Sequence, residues 1–414
     1  MWFCALLAMK IRVLNREKAL LMTETAIPQA IPMNASTDQK PSARALATPL
    51  AALLAQAERA SYRGVLTPRK LDAPERETAA LAFGAAVHDL GWLRRVAVRG
   101  EDRFRWLSGM VTNAVSDLGE NSGAWNFVLS AQGRILGDLY VWREGDALSL
   151  EIAADQYDRL LSSLNGFIIM DDVELTPLSR NAAGELTGET ALGLTGPLAA
   201  DVLKRLGLPA LPEALTSAHA AWNGQDLRVA RAYGTLTPHY ELWTRAAGIF
   251  ALLQALTEAG ATLVGADSIE AFRIAEGIPA YGIDIAERDL PQETSQTRAL
   301  CFTKGCYVGQ EIVERIHSRG SVRRHLRPLE LFGPVPAAGA ALAAEDGAEA
   351  GRITSAAELL LSSGKRIFAL GMMREENGAR SQTFTYTAGT AAGKARTLAT
   401  PPKLEASSQN ELES

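Results

Sequence analysis

Between residues 87 and 259 the chain keeps returning to one rhythm. Apolar-alternating runs come in pairs around glycine-containing turns, and each set is followed by a stretch of helical spacing. Residues 125–130 and 135–142 alternate around Ala131-Gln132-Gly133-Arg134, and 147–152 return after Arg143-Glu144-Gly145-Asp146. Residues 155–164 then put Tyr157, Leu160, Leu161 and Leu164 on one helical face. The second half follows with a helix after Gly196-Pro197, strands at 227–231 and 240–244, and helices at 246–259 and 268–277. Period-two runs are half-buried strands, and period-3.6 runs are helices with one apolar face. A chain that interleaves them must layer helices on sheets, which predicts an α+β architecture. After Gly320 short apolar runs (326–332, 351–355, 367–372, 383–386) are broken by Gly, Pro, Ala and Ser, the pattern of a small β-barrel.

The 414 residues, 47% of them hydrophobic, allow two or three domains with sizeable cores. Four segments are expected: an N-terminal extension over 1–47, an α+β core of two lobes over 48–325, the barrel over 326–400, and a polar tail over 401–414. Residues 23–47 lack an apolar period and read as disordered. Residues 49–59 carry Leu50, Leu53 and Leu54 at helical spacing. The apolar start precedes Lys10 and Arg12, the reverse of a signal peptide, so Met22 or Met33 is an alternative start. No apolar run is long enough to span a membrane.

The net charge of -5, from 47 acidic and 42 basic side chains, argues against general coating of nucleic acid. Locally the balance differs. Residues 315–327 hold five arginines (315, 319, 323, 324 and 327), two histidines and no acid, and Arg94, Arg95, Arg99, Arg103 and Arg105 form a second basic stretch. Either would suit a polyanionic folate tail or a tRNA backbone, or would be a solvated face. The three cysteines (4, 301 and 306) are too few and too odd for a disulfide framework, which fits a reducing, cytoplasmic setting. Their spacing gives no structural zinc site, and no metal is expected.

The chemistry concentrates in Thr303 to Arg315. Cys306 lies between Gly305 and Gly309, with Lys304 two residues before it. Glycines let a backbone turn with positive φ, and a nearby ammonium favours the thiolate. Gln310 and Glu311 lead into Ile312, Val313 and Ile316, read as a loop entering a strand. Asp102 is an expected N-cap for a helix carrying Phe104, Trp106, Leu107 and Met110, closed by Thr112-Asn113. Residues 287–298 are expected to be an exposed loop.

The octet Lys304-Gly305-Cys306-Tyr307-Val308-Gly309-Gln310-Glu311 resembles the signature of the YgfZ family of folate-binding proteins, relatives of the glycine-cleavage T-protein, an aminomethyltransferase. The series Val98-Arg99-Gly100-x-Asp102, Leu107-x-Gly109 and Thr112-Asn113 is similar to the opening motif of those families, and Gly351-x-Ile353-Thr354-Ser355 to a barrel motif. The resemblance runs from about residue 79 to about residue 400. It implies the T-protein fold: two α+β lobes around a central cavity that holds tetrahydrofolate or a derivative, capped by a C-terminal β-barrel. It implies a pterin-binding carboxylate at Tyr240-Glu241 and a folate-tail arginine at Arg273, in Arg273-x-x-Glu276-Gly277. Asn113 and Gln310 are implied neighbours of the cofactor. Where T-proteins carry two adjacent aspartates, one of them catalytic, this chain has Gly137-Asp138, and Gln132-Gly133-Arg134 matches the YgfZ pattern. The expected function is therefore support of iron–sulfur cluster assembly or repair. Cys306 would be the reactive thiol, with Lys304 and Asp138 beside it; assembly proteins or iron–sulfur clients, including tRNA-modifying enzymes, would be partners. Aminomethyl transfer is the alternative.

Overall fold

The computed structural model describes residues 46–54, 56–180, 185–361, 364–375 and 382–404. Most of the expected N-terminal extension and most of the tail lie outside these. The first elements are helix α1 (Pro49–Leu53) and a hairpin of β1 (Glu58–Tyr62) and β2 (Val65–Lys70), so the helical reading of 49–59 holds only for its first half. Helix α2 (Pro74–Phe83) follows.

The first lobe contains β4 (Leu93–Arg99), α3 (Arg103–Met110), β5 (Ser122–Leu129), β6 (Ile135–Glu144), β7 (Ala147–Ala153), α4 (Ala154–Asn165) and β8 (Glu174–Pro177). The second contains β3 (Ala86–Asp89), β9 (Glu189–Thr195), α5 (Ala199–Arg205), β10 (Thr216–Trp222), β11 (Gln225–Ala232), β12 (His239–Arg245), α6 (Ile249–Glu258), β13 (Thr262–Leu263) and α7 (Ala266–Ala275). All eleven strands form one sheet in the order β13-β3-β9-β12-β11-β10-β5-β6-β7-β4-β8. The lobes join through the pair Thr216↔Ser122 of β10 and β5. Strands β7 and β12 are thus each the third strand out from that junction, one per lobe.

Each lobe fills the outer face of its sheet with the helices that the sequence periodicity predicts. In the first, Tyr157, Leu160 and Leu164 of α4 pack on Val96, Val141, Leu150 and Ile152. In the second, Val202, Leu203, Leu252 and Leu256 cover Leu194, Val229 and Leu242. The inner faces curl towards each other. Arg95 of β4 reaches Glu189 of β9 at 2.8 Å, and Arg228 of β11 pairs with Glu144 of β6.

The chain then runs through two 3-10 turns, Pro291–Thr294 and Thr297–Ala299, to α8 (Gln310–Arg319). Strands β14 (Arg324–Phe332), β15 (Ala341–Ala343), β16 (Glu349–Leu361), β17 (Gly364–Arg374), β18 (Thr383–Ala388) and β19 (Ala391–Thr397) close the six-stranded barrel. Phe272 of α7 and Leu81 of α2 pack on Leu359 and Phe368 of the barrel.

Three local expectations are corrected. The run after Gln310 is a helix, not a strand: Ile312, Val313 and Ile316 have helical spacing, Glu311 lies in its first turn, and His317 and Arg319 lie in its last, where the helix dipole favours each. Asp102 does not cap its helix; its carboxylate instead accepts the Asp172 amide at 3.0 Å and binds Arg105. Residues 287–298 are not a uniformly exposed loop, because Asp289, Glu293 and Thr294 are buried and Arg324 binds both acids.

Candidate functional site

The octet is built onto the first lobe by close backbone contacts. Gly309 turns with φ +82°, and a Cβ there would stand 2.5 Å from the Ser130 carbonyl oxygen and 3.1 Å from Gly133 Cα. Gly133 itself has φ +70°, and its Cβ would meet Ile312 of α8 at 2.8 Å. The glycines of the octet and of the Gln132-Gly133-Arg134 turn are therefore two halves of one contact. Gly305 does not take positive φ, so the expectation of a left-handed glycine at both ends holds for one. Tyr307 and Val313 then pack with Trp125, Phe127, Leu129 and Ile135.

Lys304 does not serve Cys306. Its Nζ donates to the carbonyl oxygens of Ser108, Val111 and Asn113 at 2.6, 2.7 and 2.9 Å, closing the C-terminal end of α3. Burial lowers its ammonium to about 8. The thiol it influences is Cys301. Burial pushes that thiol up, but the Thr303 hydroxyl, the Thr303 and Lys304 amides and the Lys304 charge outweigh it and bring the thiol below its usual value. Cys306 is exposed, and no hydrogen bond or ion pair joins it to Glu241 or Arg273 among the described residues.

Asn113 and Gln310 also act as structural ties. Asn113 Nδ2 donates to the carbonyls of Trp125 and Arg298, and its Oδ1 accepts the Ala114 amide. Gln310 Oε1 accepts the Tyr307 amide at 3.3 Å.

Tyr240 and Glu241 cannot line one surface, since neighbouring strand residues point to opposite faces. Tyr240 belongs to the outer core of the second lobe, and its hydroxyl donates to the Leu211 carbonyl. Glu241 faces inward. Trp243 Nε1 donates to it at 2.9 Å, and Glu151 of β7 meets it across the lobe seam. Trp142 Nε1 donates to Glu151 at 3.1 Å. Burial, and then the Glu241 charge, raise the Glu151 carboxyl well above the ordinary range. Glu151 therefore favours its protonated form in the seam.

Arg273 corrects the expectation of a folate-tail ligand. Its guanidinium already binds Glu270 through Nε and Nη2, and Asp284 and the Ile278 carbonyl through Nη1. Asp284 is buried and accepts both Thr354 and Ser355 hydroxyls at 2.6 Å. The Arg-x-x-Glu-Gly motif and the barrel motif thus meet in one clamp. Glu276, in the same motif, accepts the Thr235 and Leu236 amides and binds His239, two residues before Glu241 on β12.

Asp138 is held by Trp125 Nε1 at 2.9 Å and Gln156 Nε2 at 2.7 Å. Beside it, a Cβ on Gly137 would stand 2.6 Å from Gln156 Oε1 and 2.8 Å from both Leu160 methyls. The place of a second aspartate is filled by the neighbouring helix.

Several inner-face residues were not legible in the sequence. Arg298 lies between Trp125 and Tyr233, 4.3 and 3.6 Å from their ring centroids, and its Nη2 is buried without an acceptor. Arg228 lies 4.5 Å over Trp142 with both Nη atoms buried and unpaired. Glu151, Tyr140 and Gln156 complete the surface. These residues come from strands, a helix and a loop spread between 140 and 298, with no shared motif to reveal them.

One hollow of about 680 Å³ opens beside the octet, lined by Ser130, Gln132, Arg134, Glu287 and Arg288. Another of about 220 Å³ lies between α2, α7 and the barrel. Neither is lined by Glu241, Arg273 or Cys306. Among the described residues no cluster of metal-ligating side chains occurs and no helix is long and apolar enough to cross a membrane.

The comparisons with known proteins agree with this architecture. The fold is that of the crystal structure of the glycine cleavage system aminomethyltransferase T from Bartonella henselae, with a TM-score of 0.74 at 19% identity, covering 86% of this chain and 98% of that one. An aminomethyltransferase of Rubrobacter xylanophilus is 29% identical over 67% of this chain and 74% of its own length. A chloroplastic protein of Arabidopsis thaliana, named as a transferase, is 24% identical over 73% of this chain and 68% of its own. The model of the GCVT N-terminal domain matches residues 55–304. With its two-lobed sheet and closed barrel, this chain belongs to the GCVT N-terminal domain family.

Proposed function

We propose that the protein binds tetrahydrofolate or a related folate on the inner face around Glu241, and that it works as a YgfZ-like factor in iron–sulfur cluster assembly or repair. The observation that carries the second half is Gly137. In the resemblance a catalytic aspartate belongs to a pair of adjacent aspartates, and here one of the two positions is a glycine packed against Gln156 and Leu160. Asp138 alone remains, with its carboxylate already accepting two hydrogen bonds.

The inner face fits a polar, planar ligand. Buried guanidinium donors without acceptors, on Arg298 and Arg228, are costly unless something satisfies them. Trp125, Tyr140, Trp142 and Trp243 supply aromatic surface beside them. Glu241 would take the N–H edge of the pterin, once Glu151 yields its contact. Arg298, held between two rings, would face the remaining polar atoms. A bound folate supplies one-carbon chemistry or a binding signal. The chain's own residues orient it, and their burial keeps water from the seam. Cys306, exposed in its loop, is the thiol open to partners such as assembly proteins or iron–sulfur clients; Cys301, five residues before it, has a thiol brought below its usual value.

A second reading, aminomethyltransferase, is favoured by the names of the relatives and by the shared fold. The two separate in an assay with aminomethyl-lipoyl carrier protein and tetrahydrofolate, run beside complementation of a deletion strain. No transfer at enzymatic rates, with recovery of iron–sulfur enzyme activity by the wild type but not by Cys306→Ala, is expected. Sustained transfer would assign the protein to the second reading, and full recovery by Cys306→Ala would remove the thiol from the mechanism.

A further inference from the structure

Strand register places His88 of β3, Gly193 of β9, Glu241 of β12 and Ala230 of β11 in one line across the sheet. Residues paired in this way point to the same face, so glycine and alanine flank the Glu241 carboxylate on the inner side. The His88 imidazole lies over Gly193: a Cβ there would stand 2.0 Å from ring Cε1 and 2.3 Å from Nε2. The ring thus takes the place of a side chain on residue 193. That place is the direct neighbour of Glu241, since opposed Cβ atoms on paired strands are about 5 Å apart.

A hydrogen-bonded chain holds the ring there. His88 Nε2 meets Thr195 Oγ1 at 3.0 Å, Thr195 Oγ1 meets His239 Nδ1 at 3.0 Å, and His239 Nε2 meets the Glu276 carboxylate at 2.9 Å. With both rings neutral the hydrogens can be placed one by one, because a neutral imidazole has one donor and one acceptor. Glu276 only accepts, so His239 Nε2 donates and His239 Nδ1 accepts. Thr195 gives its one hydrogen to that nitrogen, so its oxygen accepts from His88 Nε2. His88 Nδ1 is left as a lone pair, buried and without a hydrogen-bond partner. Burial and the neighbouring His239 hold the His88 ring down to about 3, so it stays uncharged; the Asp89 carbonyl opposes this but makes no hydrogen bond to Nδ1.

A buried acceptor without a partner, beside a carboxylate that also accepts, fits a ligand edge rich in N–H donors. An aminopyrimidine ring has such an edge: a ring N–H and the two hydrogens of its amino group. We propose that His88 is a specificity-determining residue of the Glu241 site, its Nδ1 accepting the amino hydrogen that Glu241 leaves free, and that the Thr195–His239–Glu276 chain fixes it in that role. The proposal rests on the folate reading above and adds to it the group by which the ligand is told from its near relatives. Thr195 and His239 act through His88 and are positioning residues.

Titration calorimetry of the full chain with tetrahydrofolate, and with its analogue carrying a methyl group in place of the pterin amino group, tests it. The wild type is expected to prefer tetrahydrofolate by at least about a hundredfold, because the analogue leaves buried acceptors unpaired. His88→Phe keeps a ring over Gly193 but removes the acceptor. It is expected to weaken tetrahydrofolate at least about tenfold and to leave the analogue within about threefold, so the preference shrinks. His88→Asn, which returns an acceptor close to the position of Nδ1, is expected to recover part of the preference. Thr195→Val frees the ring to take either tautomer and is expected to weaken tetrahydrofolate about three- to tenfold without touching it. A variant that is merely less well folded would lose both ligands alike, and the ratio between them would not move. Failure of the wild type to bind tetrahydrofolate would remove the folate reading and this proposal with it. Binding by the wild type, with the same preference in His88→Phe and Thr195→Val, would overturn this proposal alone.

Discussion

Gly309→Ala is expected to lower stability by about 2–5 kcal/mol and to release the octet from the first lobe. Alanine in the left-handed region costs about 1–2 kcal/mol. The new Cβ also meets the Ser130 carbonyl at 2.5 Å, a backbone atom that cannot swing away. Overpacking of this kind adds about 1–3 kcal/mol. The strain falls on the contact between the octet and the Gln132-Gly133-Arg134 turn, so proteolysis between 300 and 310 is expected to speed up along with the fall in melting temperature. An alanine variant as stable and as resistant as the wild type would mean that the two glycine motifs are not one contact.

Asp284→Ala carries the other large effect. The carboxylate is buried and serves Arg273, Thr354, Ser355 and the Ala280 amide at once. Removing one partner of a buried ion pair costs about 3–5 kcal/mol, because the other charge stays behind. Here it would leave Arg273 with Glu270 as its one carboxylate and the Ser355 hydroxyl short of an acceptor, while Thr354 keeps the Leu370 carbonyl. Chemical denaturation is expected to show that loss, and the barrel to unfold ahead of the lobes. A loss below about 1 kcal/mol would show that Arg273 is free to serve a ligand, as the sequence resemblance implied.

The layered α+β core and the barrel were legible because apolar periodicity records which face of each strand or helix is buried. Residues 155–164 and the short runs after Gly320 carried that signal plainly. The α8 helix was missed because Ile312, Val313 and Ile316 are too few to separate a strand from a helix; the turn set by Gly309 decides it. The motifs were legible as strings, but their roles were not. Lys304 sits two residues from Cys306 in sequence, and yet its ammonium turns to three carbonyls at the end of α3. Arg273 reads as an available cation until Asp284, eleven residues on, is placed against it. Tyr240 and Glu241 are neighbours in sequence on opposite faces of one strand. Glu151 and Arg298 gave no signal at all, because they matter only once the two lobes close on each other.

The seam around Glu241 holds the central claim. As it stands, Glu241 is engaged by Trp243 and by Glu151, so a ligand must displace the Glu151 contact to use it. Engaging Glu241 with a ligand removes one of the two causes that hold the Glu151 carboxyl up, which favours loss of the Glu151 proton, whereas a site elsewhere on the surface would leave it untouched. Isothermal titration of the full chain with tetrahydrofolate, in buffers of different ionisation enthalpy, reads affinity and proton count together. Saturable one-to-one binding, a net proton release in the wild type and a loss of affinity of about tenfold or more in Glu241→Gln are predicted, the last from one charge-assisted hydrogen bond of about 1.5–3 kcal/mol. No binding by the wild type, or binding that Glu241→Gln leaves unchanged, would contradict it.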